Sequence, residues 1–202
     1  MTGKIKLNAA SGGGSVSFQA PSSTGDDRII TLPTSADGTI LTTTNPKAGN
    51  ILQVVSTTKT DTFTSSSTSY TDITGLSVSI TPSSTSSKCL IQVNVHGISD
   101  ASTQMYIELF RTSDNSSVCI GDADGSRVRA TMGTAYQQQS NDVDSQGINF
   151  LDSPSTTSAF NYKLRVRTQG SGTVYINRAL TDSADATAGR FASSITVMEV
   201  AG

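Results

Sequence analysis

The sequence predicts an all-β protein: an N-terminal extended β segment followed by a jelly-roll-like β-sandwich head. Three observations carry this expectation. Ser (32) and Thr (29) make up 61 of the 202 residues, and only Glu108 and Glu199 among the 16 acidic residues are Glu. Strong helix formers are therefore scarce, while Thr, Val, Ile and turn-forming Asp, Asn and Gly are plentiful, which argues against a helical bundle or a doubly wound α/β enzyme. Beyond residue 50, apolar residues recur at alternate positions, the two-residue period of a strand with one buried face. Polar turn clusters punctuate these runs at intervals of roughly 8–15 residues, as in a sandwich or jelly roll. The apolar share is only 35%. One chain of this kind buries a modest core and gains by burying more against partner chains.

Residues 1–45 carry the breakers Ser11-Gly-Gly-Gly-Ser15, Pro21-Ser-Ser-Thr-Gly25 and Pro33-Thr-Ser-Ala-Asp-Gly38. Between them lie short extended pieces at 4–7, 15–18, 28–32 and 39–41. Lys4 and Lys6 alternate with Ile5 and Leu7, and Ser15 and Ser17 with Val16 and Phe18. Each piece is too short to close a core alone, so identical chains are the expected cover for the apolar face. The stretch 46–50 reads as a linker, built on Asn45-Pro-Lys-Ala-Gly-Asn50. Residues 51–202 form the head, with strands expected at 51–58, 68–71, 74–80, 87–97, 103–111, 116–120, 127–136, 145–151, 160–168, 173–178 and 193–200. The spacing places Leu76, Val78, Ile80, Ile91, Val93, Val95, Leu164, Val166, Ile195 and Val197 in its core, because each set shares one face of its strand. The stretch Asp182–Gly189 fits a long loop or a short helical turn.

Charge limits the partners. The formal net charge is −2 and no Lys/Arg cluster occurs, so nucleic acid is not expected as a partner. The longest apolar runs are far short of a membrane span, and the N-terminus has no secretory h-region. Asn115-Ser-Ser117 is then turn sequence, not a glycosylation site.

Chemical motifs are sparse. His96 is the sole histidine, and by alternation it falls on the face opposite Val93 and Val95. Cys89 and Cys119 both lie in apolar strand text and read as buried small hydrophobes. With two thiols and no disulfide framework, assembly in a reducing cytoplasm is expected. Asp122-Ala-Asp124-Gly125 begins like a calcium loop, but Ser126 and Arg127 follow and no Glu closes it. It reads as a hairpin turn, as does Asn141-Asp142-Val-Asp144. The two Glu give no sign of an acid/base pair. No catalytic residue, cofactor or metal site is assigned, and no enzymatic activity is expected.

The order of motifs also carries a resemblance. Lys4–Phe18, with its Gly-Gly-Gly-Ser-Val-Ser-Phe ending, is followed by Ala20-Pro-Ser-Ser-Thr-Gly25 and by Ile30-Thr-Leu-Pro-Thr-Ser-Ala-Asp-Gly-Thr-Ile-Leu-Thr42. This text resembles the N-terminal segments of tail-fibre and related virion proteins of marine bacteriophages (cyanophage-like). Thr58–Thr64, Thr71–Lys88 and the ending Ser194-Ile-Thr-Val-Met-Glu-Val200 are similar to their head domains. The resemblance covers most of the chain. It implies a homotrimeric virion protein whose residues 1–45 form a docking or stalk segment toward the particle. A short tail fibre is the leading expectation. Its partners would be other virion proteins and a host-surface glycan or outer-membrane receptor, met by several weak sites acting together. Tyr106, Tyr136, Gln137–Gln139, Asn141, Tyr162 and Tyr175 form the pool of receptor-contact candidates, shared with core and trimer contacts. A capsid decoration or head-fibre protein is the alternative, and a glycan-cleaving fibre a third.

Overall fold

The computed structural model describes residues 4–8, 15–19, 46–101, 103–134 and 142–202. The strands expected at 28–32 and 39–41 lie outside these residues. The chain divides into two compact units, Met1–Ile40 and Leu41–Gly202. In the first, β1 (Lys4–Asn8) and β2 (Ser15–Gln19) pair antiparallel. Their register opposes Ile5 to Phe18 and Leu7 to Val16, the two alternating sets that the sequence offers.

The second unit holds eleven described strands and, among the described residues, no helix. They are β3 (Ile51–Lys59), β4 (Phe63–Ser65), β5 (Thr71–Ile80), β6 (Lys88–Ser99), β7 (Met105–Arg111), β8 (Ser116–Val118), β9 (Met132–Thr134), β10 (Asp144–Asp152), β11 (Phe160–Thr168), β12 (Val174–Ile176) and β13 (Ser193–Val200). One sheet runs β3–β13–β6–β10. Where β13 and β3 end, β12 continues beside β6, and β4 beside β12. The other sheet runs β5–β11–β7, with β8 and β9 placed one after the other along the free edge of β7. Strands that follow one another in sequence mostly change sheet. This order is the paired Greek key of a jelly roll, the class that the short strands and recurrent polar turns lead one to expect.

All ten residues expected in the core are buried, and they form one cluster with the inner faces of both sheets. Thr57 Oγ1 donates across the sheets to the Ser77 carbonyl at 3.0 Å. Burying about twenty apolar side chains in one space is the main stabilising term for so polar a chain.

The registers define two poles. At the near pole the chain enters the head: Gly49 N donates to the Ala201 carbonyl and Ala201 N to the Asn50 carbonyl, both at 2.8 Å. The connections 81–87, 112–115 and 153–159 lie here too. At the far pole lie the described connections 60–62, 66–70, 169–173 and 177–192, with β4 and β12 between them. Glu199 pins the near pole. Its carboxylate is 1% exposed and accepts from Ser83 N and Oγ (2.6 Å each), Ser87 Oγ (2.7 Å) and Gln53 Nε2 (2.5 Å). Burial raises its pKa, but these donors together outweigh that and hold it below the usual carboxylate value. Glu199 thus ties β3, β13 and the 81–87 connection together.

The structure corrects several boundaries. The strands expected at 68–71 and 74–80 are one, β5, interrupted by a bulge at which the register with β11 shifts. Gly75 supplies the positive φ (85°) that this bulge requires. β4 has no counterpart among the expected strands, because three residues with one apolar member carry no period. Of the strand expected at 127–136, the described residues form only β9, and 119–131 loops out instead. Asp122–Gly125 therefore closes no hairpin between neighbouring strands, since β8 and β9 share one edge of β7. Asp182–Gly189 is a loop, with Asp185 accepting from Thr187 N and Oγ1.

Candidate interaction surfaces

The expected chemical candidates disperse. His96 lies, as expected, on the outer side of β6, where Nδ1 is 2.9 Å from the Ala192 carbonyl and the ring stacks on Phe191. Asp124 pairs with Arg127 at 3.1 Å in an exposed turn. Among the described residues no group of three or more His, Cys, Asp or Glu is placed to hold a metal. Of the receptor-contact pool, Tyr162 is fully buried, its hydroxyl donating to Asp152 at 2.6 Å. That removes it as a contact residue: it sits at a core parity of β11, between Phe160 and Leu164. Tyr106 and Tyr175 are half-buried and belong to different sheets. Tyr136, Gln137–Gln139 and Asn141 lie outside the described residues.

The cysteines also differ from expectation. Cys89 is buried in β6, and burial pushes its thiol up to about 11. Cys119 is exposed, not buried, because β8 stops at Val118 and Cys119 takes a positive φ of 54°. A thiol reagent at pH 8 is expected to label one equivalent rapidly and the second only in denaturant. Two rapid equivalents would mean that β6 opens in the native state.

The outer face of the β5–β11–β7 sheet is charged and self-satisfied. Lys163 Nζ reaches Asp72 at 2.7 Å, Arg165 Nη1 reaches Glu108 at 2.9 Å, and Ser117 Oγ donates to Glu108 at 2.6 Å. The Lys163 ammonium and the Arg165 guanidinium lie over the Phe110 ring at 5.3 and 4.7 Å. Arg167 covers Tyr70 at 5.8 Å. The Tyr70 hydroxyl donates to the Arg129 carbonyl, and burial raises it to about 12. Aromatic faces here are capped by the chain's own cations, so they offer a ligand little stacking surface.

The outer face of the β3–β13–β6–β10 sheet is different. Cross-strand registers set out its rows. One row is Thr58–Ser194–Asn94–Gly147, and the next is Ser56–Thr196–Gln92–Asn149. Hydroxyl and amide side chains bond within the second, Ser56 to Thr196 at 2.8 Å and Gln92 to Asn149 at 3.1 Å. The third row is Val54–Met198–Leu90–Leu151, wholly apolar, and Ile51–Val200–Lys88 follows it at the near pole. Val54, Leu151 and Ile51 are 57%, 48% and 49% exposed. Among these described positions Lys88 alone carries a formal charge. A signal for this patch exists in the sequence: Val54-Val55, Leu90-Ile91 and Val197-Met198 are apolar at both parities of their strands.

At the far pole Asn177 is a buried hub. Its amide donates to the Lys59 and Asp61 carbonyls (2.8 and 3.1 Å), and its Oδ1 accepts from Ser193 at 2.6 Å. It anchors the exposed loop 180–189, whose base is closed by the Arg178–Arg190 bridge and by Asp182 accepting from both arginines. The Tyr175 ring lies beneath Arg178 at 4.4 Å.

No protein-family model matches the chain, and no curated protein sequence matches it. Among solved structures it is similar to that of the infectious bursal disease virus Gt strain (13% identity, TM-score 0.38, 94% of this chain and 46% of that chain). It is likewise similar to infectious bursal virus derived T=1 particles (12%, TM-score 0.38, 93% and 50%). A third is the infectious bursal disease virus VP2 subviral particle (13%, TM-score 0.39, 92% and 51%). The chain spans about half the length of these viral chains.

Proposed function

We propose that this protein is a non-enzymatic structural component of a bacteriophage virion, a short homotrimeric tail fibre that docks through residues 1–45 and presents its head to the host surface. The polarity of the head carries the reading. The chain enters at the near pole, where connections are short and Glu199 clamps the backbone. The long connection 177–192 lies at the opposite pole, and loops on a rigid sandwich are the usual seat of recognition. The polar composition and the motif order of the N-terminal text support the same reading. Host contact would rest on avidity: three modest sites per fibre and several fibres per particle raise effective affinity without a strong single contact. The exposed loop 180–189, on each of three copies, is the proposed contact surface for a surface glycan or outer-membrane receptor.

The reading predicts separable functions. A chain beginning at Pro46 keeps the bonds of Gly49 and Asn50 to Ala201 and is expected to fold, but to be lost from particles. Electron micrographs with gold-labelled antibody against the head should mark the tail of intact particles. Incorporation of the shortened chain would refute docking through 1–45, and label on the capsid would replace the tail fibre by a head fibre.

A further inference from the structure

We infer that the outer face of the β3–β13–β6–β10 sheet, centred on Ile51, Val54, Leu90, Leu151, Met198 and Val200, is the surface through which copies of this chain pack side by side about an axis running from pole to pole. The inference rests on the trimeric reading and specifies its interface.

Four observations select this face and this occupant. The six residues are contiguous by register, and three of them, Ile51, Val54 and Leu151, are the exposed large hydrophobic residues among the described ones, gathered on one face. The apolar row crosses the full width of the sheet, from the edge strand β3 to the edge strand β10. Around a cyclic axis each copy meets one neighbour on its left flank and another on its right, so both flanks must be apolar. Here the Val54–Met198 flank of one copy faces the Leu90–Leu151 flank of the next.

The third observation is where the chain enters. Residues 46–50 lead directly into Ile51, beside Val200. Copies joined through their N-terminal segments are tethered at this corner, near pole to near pole. Parallel copies so tethered meet along side faces, beginning at the apolar rows. The fourth observation is charge. The opposite sheet already pairs Lys163 and Arg165 with Asp72 and Glu108 and lays Arg167 over Tyr70, and a second copy packed there would have to desolvate these charges, which costs free energy. The chosen face carries only Lys88, at its margin. Its Ser, Thr, Asn and Gln rows complement themselves, each offering donors and acceptors to a second copy.

The test uses the full chain. Light scattering of the native protein at micromolar concentration should give about three times 21.0 kDa. The double variant Val54→Lys/Leu151→Lys should fall threefold in mass with an unchanged circular-dichroism spectrum, because both side chains are half exposed and touch no core. Thr74→Lys, exposed on the other sheet, should leave the mass unchanged. In a Cys119→Ser background, Val54→Cys/Leu151→Cys treated with a short bis-maleimide should give covalent trimers, and either cysteine alone none. A native trimer that survives the double lysine variant overturns this interface and leaves the trimer standing. A native monomer overturns the trimer itself. A native dimer, or cross-linking that stops at dimers, overturns the three-copy arrangement. Loss of trimer in Thr74→Lys would move the interface to the other sheet.

Discussion

Val93→Asp is expected to prevent the head from folding, whereas Asn94→Asp leaves it folded. Val93 is 5% exposed at the centre of β6, opposite Ile195 on one side and Ile148 on the other. Both neighbours point, as it does, into the space between the sheets. A carboxylate there has the apolar Ile195 and Ile148 as its two cross-strand neighbours and no cation in its row. Either it stays ionised without a partner or it takes up a proton at neutral pH. Both cost several kcal/mol, comparable with the roughly 5–15 kcal/mol that holds a domain together. Asn94 lies on the outer face, exposed, with Oδ1 accepting from Ser145 Oγ at 3.0 Å. An aspartate keeps that acceptor, and the change stays within about 0.5 kcal/mol. Far-UV circular dichroism and solubility of the two variants check this. If the Asn94 variant unfolds and the Val93 variant does not, the register of β6 is displaced by one residue and every side chain on it changes face.

That contrast is legible in the amino-acid sequence alone, and the reason is physical. A strand with one wet face must alternate, so Val93, Val95, Leu164, Val166, Ile195 and Val197 name the core by themselves. What alternation does not carry is pairing. It gives no hint that β8 and β9 share one edge of β7, so Asp122–Gly125 reads as a hairpin turn when it belongs to an excursion. It does not separate Tyr162, whose ring belongs to the core, from Tyr106, on the outer face of the neighbouring strand. Cys119 reads as strand because the backbone turns just past Val118, and a positive φ at a non-glycine leaves no mark in composition. The outer apolar row shows in the sequence only as a local breach of the period at Val54, Leu90 and Met198. Its meaning needs the register, which brings those residues into one line.

The second large effect is expected at Asp152, which no pattern in the sequence marks. It ends β10 opposite Cys89 and is 7% exposed. Its Oδ2 accepts from Arg111 Nη1 and from the Tyr162 hydroxyl, both at 2.6 Å. Arg111 also holds Asp114 at 2.6 Å, which keeps the Asp114 carboxyl down at about 2. Asp152→Ala would leave the hydroxyl of a fully buried tyrosine without an acceptor. It would also leave a guanidinium whose side chain is 14% exposed with one carboxylate partner in place of two. Breaking a buried ion pair from one side costs about 3–5 kcal/mol, and the surviving Asp114 contact places this variant near the lower end, at about 3 kcal/mol. Asp152→Asn keeps an acceptor for Tyr162 and should cost less. Tyr162→Phe removes the orphaned hydroxyl, so adding it to Asp152→Ala should cost less than the two single changes summed, a coupling that a double-mutant cycle reads directly. Asp72→Ala breaks a pair on the outer face, where Asp72 is 55% exposed, and should cost less than about 1 kcal/mol. Urea unfolding of the four single variants and the double variant ranks them. Equal losses for Asp152→Ala and Asp72→Ala would mean that water reaches the Arg111–Tyr162 contact and that the near pole is not sealed at this corner.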